Sequence, residues 1–281
     1  MSTLQTHRQE LQSGDRFAFG ENWAKYLAVI DEDRIRQAEQ SLREMLETES
    51  LTNRRFLDIG SGSGLFSLAA RRLGAKVHSF DYDPQSVACT QELKRRFLPV
   101  DPDWTIEQGS VLDSCFLDTL GQWDIVYSWG VLHHTGAMWD ALRNVSMLVS
   151  ENGLLFIALY NDQGRWSSWW LATKRLYNAL PVSLRPLVLI PCFMRLWGPR
   201  LLIDAFRGNP LATWNGHRRL RGMSPWRDVI DWVGGLPFEV STPEAVFSFF
   251  RARGYRLQRL RTCGGGRGCN EFVFQKASPD P

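Results

Sequence analysis

The sequence has no run of about 18 unbroken apolar residues, the length that a membrane-crossing helix needs. Its most apolar stretch, Leu187 to Trp197, is interrupted by Pro191 and Arg195. Met1 to Phe19 is polar and lacks the apolar centre of a secretory leader, so a cytoplasmic location is expected. Cysteine is scarce: Cys89, Cys115, Cys192, Cys263 and Cys269 are odd in number and scattered, which reads as reduced thiols and not as a disulfide framework. Cys263 and Cys269 have five residues between them and no neighbouring His, outside the spacing of structural zinc sites, so no metal is expected. Net charge is also small, +3 at pH 7, and nothing global calls for nucleic acid.

The 281 residues, 44% of them apolar, suffice for one large domain with an embellishment. Ile35, Ala38, Leu42 and Met45 recur at helical spacing over 31–47. Short apolar strands are expected at Arg55–Ile59, Lys76–Phe80, Trp104–Gln108, Trp123–Trp129 and Leu154–Tyr160, with helices between them. Asp83-Pro84 supplies an N-cap and a proline at the first helical position. A helix from Pro243 to Gly254 and strands at Tyr255–Thr262 and Glu271–Gln275 end the pattern. Such alternation predicts an α/β fold with a doubly wound, mostly parallel seven-stranded sheet. The rhythm breaks after Tyr160. Residues 1–50 therefore read as an N-terminal helical cap, 51–161 with 236–277 as the α/β core, and 162–235 as a helical insertion near the ligand-binding edge of the sheet. That insertion holds 11 Lys/Arg against 4 Asp/Glu, an excess of seven, and seven of the twelve tryptophans.

Asp58-x-Gly60-x-Gly62-x-Gly64 lies between a strand and a helix, where glycines permit a sharp turn and close approach of a ligand. The spacing differs from the dinucleotide fingerprint, and the preceding acid would repel a pyrophosphate while attracting a cationic amino-acid group. Asp81, ending the second strand, is placed to accept hydrogen bonds from two ribose hydroxyls. Of His133 and His134, in Trp129-Gly-Val-Leu-His-His134, a neutral imidazole could take a proton from a substrate hydroxyl, His134 being preferred. Phe17 to Trp23 is aromatic-rich and reads equally as a lid bringing Trp23 to a cofactor or as a hydrophobic clasp. Thr262 to Asn270 reads as a mobile glycine loop with Arg267 or Asn270 on substrate.

These residues resemble motifs I and II of the class I S-adenosyl-L-methionine (SAM)-dependent methyltransferases, over most of the chain. The resemblance implies that Gly60, Ser61, Gly62 and Gly64 line the methionine part of SAM, with Asp58 holding its amino group. It implies further that Asp81 and Tyr82 meet the ribose side, Ser110 and Val111 the adenine, and Ser128 and Trp129 the sulfonium side. Within the class, Phe56-Leu-Asp-Ile-Gly60, Val131-Leu-His-His134, Tyr160-Asn161 and Asn270-Glu-Phe-Val273 are similar to the ubiquinone-biosynthesis O-methyltransferases. That likeness implies a hydroxyl on a hydrophobic, quinol-like or lipid acceptor, with Asn161 near it and a peripheral membrane contact through 162–235. On the insertion's first helix, Trp166, Trp169 and Trp170 lie on one side and Lys174 and Arg175 on another, the composition of an interfacial helix. Phe19 to Trp23 and the length and basicity of the insertion depart from that family's pattern. The rival readings are a soluble sugar or secondary metabolite as acceptor, RNA or protein as acceptor, and a non-catalytic SAM-binding subunit.

Overall fold

The computed structural model describes residues 3–209, 212–214, 216 and 225–278. In chain order its helices are α1 Thr3–Ser13, α2 Phe19–Leu27, α3 Glu32–Leu46, α4 Leu65–Arg72, α5 Pro84–Phe97, α6 Ser114–Leu120, α7 Met138–Met147, α8 Arg165–Ala179, α9 Pro186–Phe206, α10 Pro225–Gly234 and α11 Pro243–Arg251. Its strands are β1 Arg55–Ile59, β2 Lys76–Asp81, β3 Trp104–Gln108, β4 Trp123–Trp129, β5 Val149–Tyr160, β6 Tyr255–Arg261 and β7 Cys269–Lys276. They divide into two compact units: residues up to His7 with Gly20–Gln163 and those from Glu239 onward, and Arg8–Phe19 with Gly164–Phe238.

The first unit is the expected doubly wound sheet. Its seven strands run in the order β3-β2-β1-β4-β5-β7-β6. β1 pairs in parallel with both β2 and β4, whereas β7 is antiparallel to β5 and β6. Alternating side chains fill both faces. Leu57, Val126 and Ile157 pack with Ala141, Leu142, Val246 and Phe250 on one side. Phe56, Tyr127 and Phe156 pack with Ile35, Leu42, Leu68 and Ala69 on the other. Each such side chain, fully buried, contributes about 1.5–3 kcal/mol. Helix starts follow local chemistry. Asp31, Asp83, Asp113 and Thr242 accept a backbone N–H from the first turns of α3, α5, α6 and α11. In the order 3-2-1-4, the chain leaves β1 toward β2 on one side and later returns to place β4 on the other. A crevice therefore opens at the carboxyl ends of β1 and β4, where folds of this kind bind ligands.

The second unit corrects two expectations. Lys174 is not a surface cation: it is wholly buried, donates to the Trp232 carbonyl, and lies 4.8 Å and 4.6 Å from the ring centroids of Trp232 and Phe238. Two aromatic faces and a carbonyl replace the water that the ammonium loses. Trp170 is buried beside it, so α8 does not separate a tryptophan face from a cationic face. The second concerns the apolar stretch, which forms one long helix although its apolar run is interrupted. α9 runs 21 residues through both Pro191 and Pro199. With the short turn before it, this is the single helix among the described residues long and apolar enough, by length and composition, to cross a membrane. It buries Leu189, Cys192 and Trp197 but exposes Leu187, Ile190, Met194, Leu202, Ile203 and Phe206. Arg218, Arg219 and Arg221, which contribute to the basic excess, lie outside the described residues.

Candidate active site

The chain turns at the end of β1 in a way only glycine tolerates. Gly60 and Gly62 have φ of +79° and +56°, and the space a Cβ would take is already filled. At Gly60 it would lie 2.4 Å from Val131 Cγ2, and at Gly62 2.9 Å from Trp23 Cε2. The glycines thus admit neighbouring side chains as well as the sharp turn, and Trp23 of α2 lies against the turn. The segment around it is divided: Phe17 belongs to the second unit, where its backbone N–H bonds the Leu236 carbonyl and its ring abuts Gly234.

Asp81 joins the turn to the end of β2. Its Oδ2 accepts the Gly62 N–H at 2.9 Å and its Oδ1 the Asp83 N–H at 2.9 Å. Tyr82 meets His7 edge to face at 5.2 Å, and His7 Nε2 lies 3.9 Å from Asp83 Oδ1. His7, buried beside the turn, carried no signal in the sequence. Ser61 is buried and pairs with Thr90 at 2.9 Å. Ser110 and Val111 follow β3, where the Ser110 hydroxyl accepts the Leu112 N–H and the Val111 carbonyl accepts from Asn144.

Asp58 is buried at 2% exposure, and Ser67 on α4 donates to its Oδ2 at 2.5 Å. Burial pushes its carboxyl up to about 7, the Ser67 hydrogen bond opposes this, and the negative Asp81 adds to it. None of the groups acting on it is a cation. A buried acid on which no cation acts, with a second acid nearby, suits a positively charged ligand and disfavours a pyrophosphate. The linkage has a definite sign. In the folded state Asp58 holds its proton to about 7, against about 4 unfolded, so stability is greatest at low pH and falls as pH rises between these values. Asp58→Asn is therefore expected to exceed the wild type in stability at pH 8 by roughly 4 kcal/mol at most, the gap closing by pH 4, as read from urea unfolding at both pH values. A gap independent of pH would contradict this assignment.

At the end of β4, Ser128 is buried and donates to the Ile59 carbonyl at 3.0 Å, tying the two central strands together at the crevice. Trp129, next along the strand, is 40% exposed. The chain then enters a short helical turn, Leu132–His134. The two histidines differ. His133 is 0% exposed, accepts the Tyr160 N–H at Nδ1 (3.3 Å), and lies against the Tyr160 ring, tilted by 33° with centroids 3.8 Å apart. His134 keeps 8% exposure and meets Tyr160 edge to face at 5.2 Å. Glu239, which the sequence reading passed over, is held here. Its backbone N–H bonds the His133 carbonyl, and its carboxylate accepts the Met138 N–H at the start of α7. Burial raises the Glu239 carboxyl, opposed by the Met138 and Gly136 amides.

Asn161 and Asn270 meet at 2.9 Å across the ends of β5 and β7. Asn161 also donates to the Gly266 carbonyl, and Asn270 accepts the Cys263 N–H. Both are buried, so their amides brace the glycine loop that carries the half-buried Arg267. No group of three or more His, Cys, Asp or Glu arranged to hold a metal occurs among the described residues.

A family model described as a methyltransferase domain matches residues 30–185. The chain is 29% identical over 123 residues to the ubiquinone biosynthesis O-methyltransferase of Rhodopseudomonas palustris (strain HaA2), covering 43% of this chain and 45% of that protein. It is 53% identical over 49 residues to the ribosomal protein L11 methyltransferase of Prochlorococcus marinus (strain MIT 9515), covering 17% of this chain and 16% of that protein. The chain thus spans less than half the length of these two curated relatives. The crystal structure of a magnesium protoporphyrin IX methyltransferase from Synechocystis PCC 6803 with bound SAM superposes with a TM-score of 0.55, covering 99% of this chain and 98% of that one at 10% identity. At that identity the likeness is one of fold.

Proposed function

The chain belongs to the methyltransferase-domain family, and from that premise we propose that it transfers the methyl group of SAM to a hydroxyl of a small, hydrophobic, quinol-like or lipid acceptor. The observation that carries the reading is the acid–glycine turn ending β1 at the β1/β4 crevice, fastened to Asp81 through the Gly62 N–H. SAM, when bound, supplies a methyl made electrophilic by its sulfonium. Asp58 would hold the amino group, Asp81 the ribose hydroxyls, with the turn residues Gly60, Ser61, Gly62 and Gly64, together with Tyr82, Ser110, Val111, Ser128 and Trp129, around the nucleoside and sulfonium. Trp23 would exclude water from the turn. His134 would take the acceptor's proton, with His133 orienting it, and Arg267 on its braced loop would contact the acceptor. Alignment of acceptor and methyl is the main catalytic task. Purified protein incubated with SAM and a panel of polyprenylated catechols, soluble sugars and RNA is expected to form S-adenosylhomocysteine with the catechols. Turnover confined to sugars or RNA would replace the acceptor assignment, and no turnover with any class would overturn the enzymatic reading.

The acceptor class is supported by the second unit. Large apolar side chains on α9 stand in solvent, Phe206 at 91% exposure, between Arg185, Arg195, Arg200 and Arg207. An apolar face with flanking cations suits peripheral attachment to an anionic bilayer, from which such an acceptor would be drawn. Placing glutamate at Leu187, Met194 and Phe206 together is expected to abolish co-sedimentation with vesicles containing phosphatidylglycerol while leaving turnover of a soluble acceptor analogue intact. A wild type that stays in the supernatant would favour the soluble-metabolite reading.

A further inference from the structure

Behind Asp58 lies a line of hydroxyls that the reading above does not use. The Trp104 indole N–H on β3 donates to Ser79 Oγ on β2 at 2.9 Å, Ser79 meets Ser67 Oγ on α4 at 2.7 Å, and Ser67 donates to Asp58 Oδ2. All four residues are buried. An indole N–H can only donate, and because Ser67 gives its one proton to Oδ2 it must accept from Ser79, so the line has one direction. With Trp104 donating to Ser79, the Ser79 proton goes to Ser67 and the Ser67 proton to Oδ2. A proton on Oδ2 would force Ser67 to turn toward Ser79 and leave the Ser79 hydroxyl proton without an acceptor in a site closed to water. That arrangement is costly. Among the described residues none donates to Oδ1, which is left to a ligand.

We propose that Trp104, Ser79 and Ser67 are positioning residues that keep Oδ2 of Asp58 an acceptor and its proton on Oδ1, and that the ammonium of SAM's amino-acid portion displaces this proton to solvent on binding. The step balances: one carboxyl O–H is broken, one proton passes to buffer, and the carboxylate formed pairs with the ammonium. The inference rests on SAM being the ligand of this site. The groups facing Asp58 are Ser67 from α4, Ser79 and Asp81 from β2, and Tyr127 from β4. Tyr127 in turn senses Glu271 on β7, and its hydroxyl stays neutral throughout.

Calorimetry of the full chain at pH 6, in buffers of differing ionisation enthalpy, counts the proton. S-adenosylhomocysteine is expected to release about nine-tenths of a proton on binding the wild type and none on binding Asp58→Asn. 5′-Methylthioadenosine, which keeps the nucleoside but lacks the ammonium, should bind without release. Ser67→Ala is expected to move the pH of half-maximal affinity for S-adenosylhomocysteine upward by about one to two units, and Trp104→Phe in the same direction by less. Binding without proton release, or Ser67→Ala and Trp104→Phe variants with unshifted pH profiles, would overturn the relay and leave the SAM site standing. If neither nucleoside binds the wild type at any pH, the SAM reading falls, and the relay with it.

Discussion

Asp81→Ala is expected to weaken SAM binding by about a hundredfold or more while the sheet stays folded. Asp81 accepts the Gly62 and Asp83 amides, one through each oxygen, and is proposed to accept the two ribose hydroxyls. Hydrogen bonds to a charged group contribute about 1.5–3 kcal/mol each, so losing the two ribose contacts alone corresponds to roughly two orders of magnitude in affinity or more. Loss of the amide contacts adds to this by freeing the turn. Asp81→Asn separates the parts, because its carbonyl still serves one amide while its NH2 opposes the other. It should therefore bind more weakly than wild type even toward a ligand lacking the 2′- and 3′-hydroxyls. Calorimetric titration, with circular dichroism to confirm folding, reads both variants. A dissociation constant unchanged in Asp81→Ala would remove Asp81 from the site.

What the chain reveals before folding depends on whether the deciding physics is local. The strand–turn–helix at 55–72 was legible because a three-glycine turn after an acid has few other uses, and β1 occupies Arg55–Ile59 as read. The mostly parallel seven-stranded sheet followed from alternation alone. β5 starts at Val149 and not at Leu154, because Val149 already pairs with Trp123 of β4; the register then shifts before Leu154 pairs with Ile125, with Asn152 at φ +60° between them. Lys174 misled because a lysine at helical spacing looks like a solvent face, and only the tertiary arrangement of Trp232 and Phe238 makes its burial tolerable. Counting unbroken apolar residues missed the length of α9, because Pro191 removes only one helical hydrogen bond and the 21-residue helix runs through it. Asn161 and Asn270 were read as substrate contacts from chemistry that equally suits bracing a loop, and their mutual hydrogen bond spans 109 residues of sequence. The polar line from Trp104 to Asp58 joins three strands and a helix, and no spacing rule could have found it.

His134→Gln is expected to lower kcat by about 10²- to 10⁴-fold with little change in the KM for SAM, because proton removal from the acceptor belongs to the transition state and not to donor binding. The geometry singles out His134 over its neighbour. His133 commits Nδ1 to the Tyr160 backbone amide and is closed to solvent, whereas His134, also buried, keeps 8% exposure. A neutral imidazole is needed, so wild-type kcat should rise with pH as the imidazole loses its proton and then level off. In His134→Gln that limb should vanish, leaving a slow rate governed by spontaneous ionisation of the acceptor hydroxyl. His133→Gln separates a base from a brace. Its side-chain amide could still accept the Tyr160 N–H, so it should lose some thermal stability yet retain the pH limb. Single-turnover rates from pH 5 to pH 9 for the three proteins carry the test. A limb that survives in His134→Gln and disappears in His133→Gln would exchange the two roles. A limb that survives in both would leave methyl transfer to alignment alone, with the acceptor's proton lost directly to water.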